Sequence, residues 1–317
     1  MKKIFLCLSL LCLILALAGC GSSPNSATPT TIKVEDSNHR IVTLKGKPQR
    51  IVTLSPSFIA PIQALDGKLI GTASSKLVPE APALEQIGFI FAINTEKVLA
   101  LQPDLVIGYQ GMHERYLPLL EKQMGIPVLI LKLKTYEDVQ NCLTTLGQAL
   151  QEEEKATQIK QQLEQSIQDT IAKNKQHHAR IAIVHYSAQG IALETERSIA
   201  GNTAKMLKLH NVLNDAPQLK DVQKSGEFIP YNMEMLIQQN PEVVFVTSMG
   251  AEDGAKDYIK DQIMQSPSWS TVEAVRKGQV YYLPEQLFLV NPGLRYPQAV
   301  EFMANKIANL PKEADSK

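Results

Sequence analysis

The run Asn94 to Ile107 (NTEKVLALQPDLVI) returns as the run Asn232 to Val246 (NMEMLIQQNPEVVFV). Each copy opens on Asn, places Glu two residues later (Glu96, Glu234), and carries an apolar stretch. Each then stops at a proline (Pro103, Pro241) and passes through an acidic residue (Asp104, Glu242) into a hydrophobic strand. Asn is a favoured N-cap, Glu suits a first helical turn, and Pro ends a helix. Both copies therefore predict a short helix followed at once by a buried strand. The two Glu residues stand 138 positions apart, far beyond the period of a solenoid. Two similar lobes explain the repeat. A polar helical segment between them, about Tyr136 to Gln176, is long enough to act as a stiff strut.

The rest of the chain fits that frame. Ile32 to Leu44 alternates around Asp36-Ser37-Asn38 and predicts a hairpin, with His39 at its turn. Core strands are expected at Ile51–Leu54, Leu69–Thr72, Leu105–Ile107 and Val128–Leu131, with helices after Ser55-Pro56-Ser57 and from Glu114 to Met124. Ile87–Ile93 reads as an apolar loop. After the strut, Arg180–Val184 restarts the pattern, followed by a polar loop from Glu194 to Ile199 and a helix from Gly201 to Leu209. The last strand is Gln279–Leu283, and a closing helix begins at Pro297. Strands alternating with helices imply parallel sheets. The expected fold is α/β: two Rossmann-like lobes, each a mainly parallel sheet flanked by helices, joined by one long inter-lobe helix. The boundaries are 31–134, 135–178 and 179–317.

Residues 1–30 fall outside that body. Lys2 and Lys3 precede the apolar run Ile4–Leu17, which is short for a membrane span and reads as a signal peptide over 1–19. It ends in Leu17-Ala18-Gly19-Cys20, which resembles a bacterial lipobox. Cys20 is thus the expected lipid attachment point, and residues 20–30 a flexible tether. Such a chain is exported and anchored on the outer face of the cell membrane. Only Cys142 then remains in the folded body, at helical spacing with Val139 and Leu146, which predicts a buried thiol. The 32 basic and 32 acidic residues cancel, with no basic block. Nucleic acid is an unsuitable partner for such a surface.

In parallel α/β sheets ligands sit beyond the carboxyl ends of the strands. Those ends here carry Ser57, Phe58, Lys76, Phe89, Phe91, Tyr109, Met112, His113, Tyr186, Arg197, Phe228, Tyr231, Met249, Phe288 and Arg295. Two such edges facing each other make a crevice with aromatic walls and a few polar anchors, suited to a large or flat ligand.

At this point the chain resembles the substrate-binding proteins of ABC importers for iron–siderophore complexes, haem or cobalamin, the class built on a helical backbone. The resemblance rests on Arg50-Ile51-Val52, Ile87-Gly88, Asn94-x-Glu96 with Pro103-Asp104-Leu105-Val106-Ile107, Gly125-Ile126-Pro127-Val128, Asn291-Pro292-Gly293-Leu294-Arg295, the second Asn232-x-Glu234 and the lipobox. It implies a monomer whose Glu96 and Glu234 meet arginines on two permease subunits. It also implies an iron complex or a corrinoid as cargo, with no intrinsic cofactor.

The cargo stays open between these classes. Haem wants an axial ligand, and the loop after Gly88 (Phe89-Ile90-Phe91-Ala92) offers none, which leaves Met112, His113 and Met249 as candidates. A ferric siderophore asks for aromatic walls and cations such as Arg197, Arg295 and Lys76. Cobalamin would use the same aromatic wall. A bare zinc or manganese site needs converging His and carboxylates, and the six His are scattered. The chain also lacks G-x-G-x-x-G, G-x-x-x-x-G-K, G-x-S-x-G and H-E-x-x-H, so an enzyme is the weaker reading.

Overall fold

The computed structural model describes residues 31–174, 179–187, 190–215, 226–248, 262–308 and 310. Ile32–Lys317 form one compact unit. The signal segment, the tether with Cys20, the His177-His178 end of the strut, and Met249 lie outside the described residues.

The hairpin of β1 (Ile32–Glu35) and β2 (Ile41–Leu44) runs antiparallel with Val34 opposite Val42. Asp36 holds its turn, accepting from the Asn38 and Arg40 backbone N–H groups at 2.9 and 3.0 Å and pairing with the Arg40 guanidinium at 2.7 Å.

The first lobe is a six-stranded sheet of β3 (Ile51–Thr53), β4 (Leu69–Ser74), β5 (Glu85–Phe89), β6 (Ala92–Ile93), β7 (Leu105–Tyr109) and β8 (Val128–Leu131), in the order β6-β5-β4-β3-β7-β8. Every pairing is parallel except β5 with β6. The stretch expected as an apolar loop is therefore a hairpin. Gly88 makes the bend at φ 106°, where any Cβ would lie 2.6 Å from the Ala92 carbonyl. The expected helix at Glu114–Met124 is a 3-10 turn, Glu114–Tyr116, and then a π-helical turn, Pro118–Gln123. Pro118 interrupts it, since it brings no N–H to an α-helical ladder.

The second sheet holds β9 (Arg180–Ser187), β10 (Gly190–Glu194), β11 (His210–Asn211), β12 (Phe228–Pro230), β13 (Val243–Ser248) and β14 (Val280–Tyr282), in the order β12-β10-β9-β13-β14 with β11 against β9. β9, β11, β13 and β14 are mutually parallel where they pair; β10 and β12 form an antiparallel margin. That margin is too short and too mixed in polarity to stand out in the sequence.

The repeat is visible in atomic detail. Asn94 caps the helix Thr95–Ala100 by accepting from the Lys97 N–H at 3.0 Å, and Asn232 caps Met233–Gln239 by accepting from the Met235 N–H at 2.9 Å. The residue before each proline, Gln102 and Asn240, is left-handed, with φ of 46° and 44°. An arginine at the head of each lobe's first strand then clamps the helix end. Arg50 Nη2 donates to the Leu101 carbonyl at 2.6 Å, and Arg180 Nη2 to the Gln239 carbonyl at 2.9 Å. Those carbonyls are ones a helix leaves unsatisfied.

The connecting segment is two helices, Tyr136–Leu150 and Glu153–Lys173, broken at Gln151, which sits at φ 55°. The first belongs to the first lobe: Val139, Cys142, Leu143 and Leu146 are buried against that sheet. The second, 21 residues or roughly 31 Å long, is the long helix that carries the chain across to β9. The closing helix, Tyr296–Ala308, packs back on it, with Tyr296 and Val300 in the first lobe's core cluster. Burial pushes the Cys142 thiol up from its ordinary pKa, so it is a space-filling group.

Candidate functional site

At the first lobe's edge, the loop after β7 is built on His113. Its imidazole is buried, Nδ1 accepts from the Tyr109 backbone N–H at 2.9 Å, and Nε2 donates to the Ile90 carbonyl at 2.9 Å. Burial holds its pKa below the usual value. With both nitrogens engaged, His113 has no lone pair to offer an iron. It fastens the β5–β6 hairpin to the loop. Arg115 Nη2 donates to the Phe91 carbonyl at 2.5 Å, and the Tyr116 hydroxyl accepts from the Ile93 N–H at 3.1 Å. The hairpin tip is thus pinned through its backbone while Phe89 and Phe91 stand 70% and 65% exposed. Two rigidly held aromatics in water contribute nothing to the core, and paired exposure of this kind marks a contact surface.

Phe58 is fully buried, its ring 5.9 Å from that of Tyr109. It is a core residue, because the 3-10 turn Pro56–Phe58 directs it inward. Tyr109 is half-buried and donates its hydroxyl to the Leu133 carbonyl at 2.7 Å. Burial, then the negative charges of Glu227 and Asp138, push its phenol above the usual range, so it stays neutral. Ser57 and Met112 are half-buried, and Lys76 is exposed.

Across the seam, Phe228 is 45% exposed and its ring lies 4.7 Å from His185. Tyr231 stacks on Trp269 at 6.0 Å and sets its hydroxyl against the Met233 sulfur at 2.7 Å; burial pushes its pKa up to about 12. Tyr186 packs partly against the second core cluster. Phe288 is buried in a third cluster with Phe245 and Met303, so it is a packing residue too. Arg295 is half-buried, with Nη2 3.4 Å from the Gln286 carbonyl. Arg197 is exposed.

A cavity of about 1200 Å³ opens along the seam, lined by Gln110, Gly111, Lys132 and Lys134 from the first lobe, Asn141 and Thr145 from the Tyr136–Leu150 helix, and Thr195, Glu196, Arg197, Asn202 and Glu227 from the second lobe. Polar and charged residues line it, and none of the lining residues is Phe, Tyr or Trp, in contrast to the aromatic lining expected. That helix turns its apolar face into the first core, which leaves its hydroxyl and carboxamide face toward the cavity. Lys134 and Glu227 form an ion pair that spans the two lobes. Of the predicted contact residues only Arg197 lines this cavity. Phe89, Phe91 and Phe228 are exposed elsewhere on the lobes' edges. Neither Lys134 nor Glu227 stood out in the sequence, because each is an ordinary charge until its partner, 93 positions away, is known.

Glu96 and Glu234 are both exposed, each in the first turn of its capped helix. Among the described residues no group of three or more His, Cys, Asp or Glu could hold a metal ion.

Two α/β lobes crossed by a long helix, with a cavity along their seam, define a two-lobed ligand-binding protein. The family model described as "Periplasmic binding protein" matches residues 51–287, and the chain belongs to that family. It is 25% identical over 319 residues to the uncharacterized ABC transporter substrate-binding lipoprotein YvrC of Bacillus subtilis, covering 94% of this chain and 95% of YvrC. It is 27% identical to the Fe(3+)-citrate-binding protein YfmC of the same organism, covering 86% of each. The fold matches the crystal structure of Staphylococcus aureus IsdE complexed with heme, with a TM-score of 0.69, 21% identity, and coverage of 81% of this chain and 98% of that one.

Proposed function

We propose that this protein is the substrate-binding component of an ABC importer, that it traps an iron complex between its lobes, and that it hands that complex unchanged to the permease. The seam cavity carries the reading. Its volume of about 1200 Å³ exceeds the 300–1,000 Å³ of a common small-molecule site and suits a bulky chelate. Lys132, Lys134 and Arg197 stand in its wall; the two lysines pair with Asp138 and Glu227, and the carboxylate or hydroxamate oxygens of a chelate would compete with those acids for them. The names of YfmC and IsdE support iron as the metal carried. A corrinoid is the second reading, favoured by the exposed aromatics Phe89, Phe91 and Phe228.

Glu96 and Glu234 dock the two lobes on the permease, and lipidation of Cys20 keeps the protein beside it on the outer membrane face. Carrying a chelate to a permease requires no turnover. Uptake of radiolabelled ferric citrate and haem by cells with and without the gene tests the reading. Loss of uptake on deletion, restored by the wild-type chain, is the expected result. Unchanged iron uptake alongside lost cobalamin uptake would replace it with the second reading.

A further inference from the structure

The charged side chains of the seam cavity are already committed to one another. Lys132 pairs with Asp138 at 3.1 Å, Lys134 with Glu227, and Lys205 with Glu196 at 2.7 Å. Arg197 is engaged as well. No other lysine or arginine lines the cavity among the described residues. On the acidic side, Asp36 is held by Arg40 and Glu35 by His39. Glu137, exposed in the first turn of the Tyr136–Leu150 helix, has no hydrogen bond or ion pair among the described residues. The wall therefore holds six carboxylates against four permanent cations.

The uncommitted groups are neutral. Asn202 Oδ1 accepts from the Tyr136 backbone N–H at 3.0 Å and from the Tyr296 hydroxyl at 2.8 Å. A backbone N–H only donates, so the carboxamide oxygen is the atom turned toward Tyr136. The amide nitrogen occupies the other branch and has no partner among the described residues. Asn141 and Thr145 stand one turn apart on the same face of their helix, and their side chains also lack hydrogen bonds among the described residues. All three residues line the cavity.

An anionic chelate entering this seam must draw a lysine away from its acid, which leaves the acid unpaired, or lie beside carboxylates that outnumber the cations. Both cost free energy. A neutral or cationic chelate avoids both and meets free amide and hydroxyl groups. Discrimination of this kind comes from the unpaired charge that the wrong ligand would create. We propose that the seam selects an iron chelate carrying no net negative charge, recognised through neutral hydrogen-bonding groups, with Asn202 Nδ2 donating to one of its oxygens. This rests on the reading of the seam as the cargo site of an iron-complex carrier, and narrows it. Partly exposed ion pairs are individually weak, so the selection is a preference of about tenfold, and a concentrated anionic chelate still displaces the acids.

The test titrates the full chain with four ferric probes, followed by quenching of intrinsic fluorescence: ferrioxamine B, a cationic trihydroxamate; ferrichrome, a neutral one; ferric citrate, which is anionic; and haemin, which carries two carboxylates. The better trihydroxamate should bind about tenfold or more tightly than ferric citrate or haemin, and ferrichrome affinity should not change with salt. The double variant Glu196→Gln, Glu227→Gln releases Lys205 and Lys134. The ratio of ferric citrate to ferrichrome affinity should then rise about tenfold, and a ratio reads selectivity even if the variant is less stable. Asn202→Asp keeps the acceptor for Tyr136 and Tyr296 but removes the donor, and should weaken ferrichrome roughly 2- to 10-fold with the melting temperature held. Ferric citrate or haemin bound within about tenfold of the better trihydroxamate, or more tightly, overturns the proposal and leaves the carrier reading standing. A ratio unmoved in the double variant overturns it too, and unchanged ferrichrome affinity in Asn202→Asp overturns the part given to Asn202. Failure to bind any of the four overturns both the proposal and the carrier reading.

Discussion

Replacing both Glu96 and Glu234 by Ala separates a docking role from a helix-stabilising one. Each carboxylate is exposed in the first turn of a helix of six or seven residues, where the dipole favours it by about 0.3–1 kcal/mol. Alanine returns part of that through its helix propensity. The double variant should therefore lose no more than about 1–2 kcal/mol, a fall of roughly 2–8 °C in Tm for a body of this size. Neither residue lines the seam cavity, so ligand affinity should be unchanged. A charge-assisted contact to a permease arginine contributes about 1.5–3 kcal/mol, or roughly 10- to 150-fold in association per site. The assay is uptake in proteoliposomes holding the cognate permease, with the binding protein titrated from outside. The single variants should need about 10-fold more protein and the double variant should fail to saturate. Wild-type transport by the double variant, with its melting point lowered as above, would show that the two Glu residues serve their helices alone.

Other consequences follow from the same geometry. Phe58→Ala, at a fully buried site, should cost about 3–5 kcal/mol by calorimetry or urea titration, with ligand affinity at the native temperature unchanged; the reverse pattern would return Phe58 to the cleft. Burial lowers the His113 pKa, so the folded form resists protonation and the unfolded form does not. Its contribution is fully present above the unfolded value near 6.5 and is lost as pH falls from there through the folded pKa. Hydrogen exchange at Ile90–Ile93 should accelerate over that window, and an unchanged rate would contradict the fastening role. The Asp215 carboxyl is held low by the hydrogen bond from His210, assisted by Arg180. Its stabilisation is present above about 3.9 and lost as pH falls through its folded pKa, so Asp215→Asn should flatten the acid limb of a melting curve.

The sequence was most legible where local chemistry and tertiary role coincide. Asn94 and Asn232 are strong N-caps, and the two prolines stop their helices whatever surrounds them, so the repeat survives from residue string to coordinates. Cys142 could be placed from its spacing with Val139 and Leu146. The arginine clamps are half visible: Arg50-Ile51 and Arg180-Ile181 each open a strand, but their carbonyl targets, Leu101 and Gln239, lie 51 and 59 positions away. Aromatic residues near strand ends were the least legible. Phe58 and Phe288 are core while Phe89 and Phe91 are exposed, a difference set by which way one turn or hairpin rotates the side chain. The polar seam was hidden for another reason: the segment Tyr136 to Gln176 reads in sequence as a polar helical strut, and the polar face of its first helix is a cavity wall. Buried Thr247 on β13 contacts both His185 on β9 and Glu194 on β10, and no local pattern announces a contact that joins three strands.

The most direct measurement is a titration of the purified full-length protein with ferric citrate, haemin and cobalamin, followed in the visible spectrum, with the ligand then released by denaturation and identified by mass spectrometry. One of the iron complexes should saturate at one equivalent and be recovered intact. Saturation with none of them, or recovery of an altered chelate, would contradict a carrier that holds iron complexes between two lobes without reacting with them.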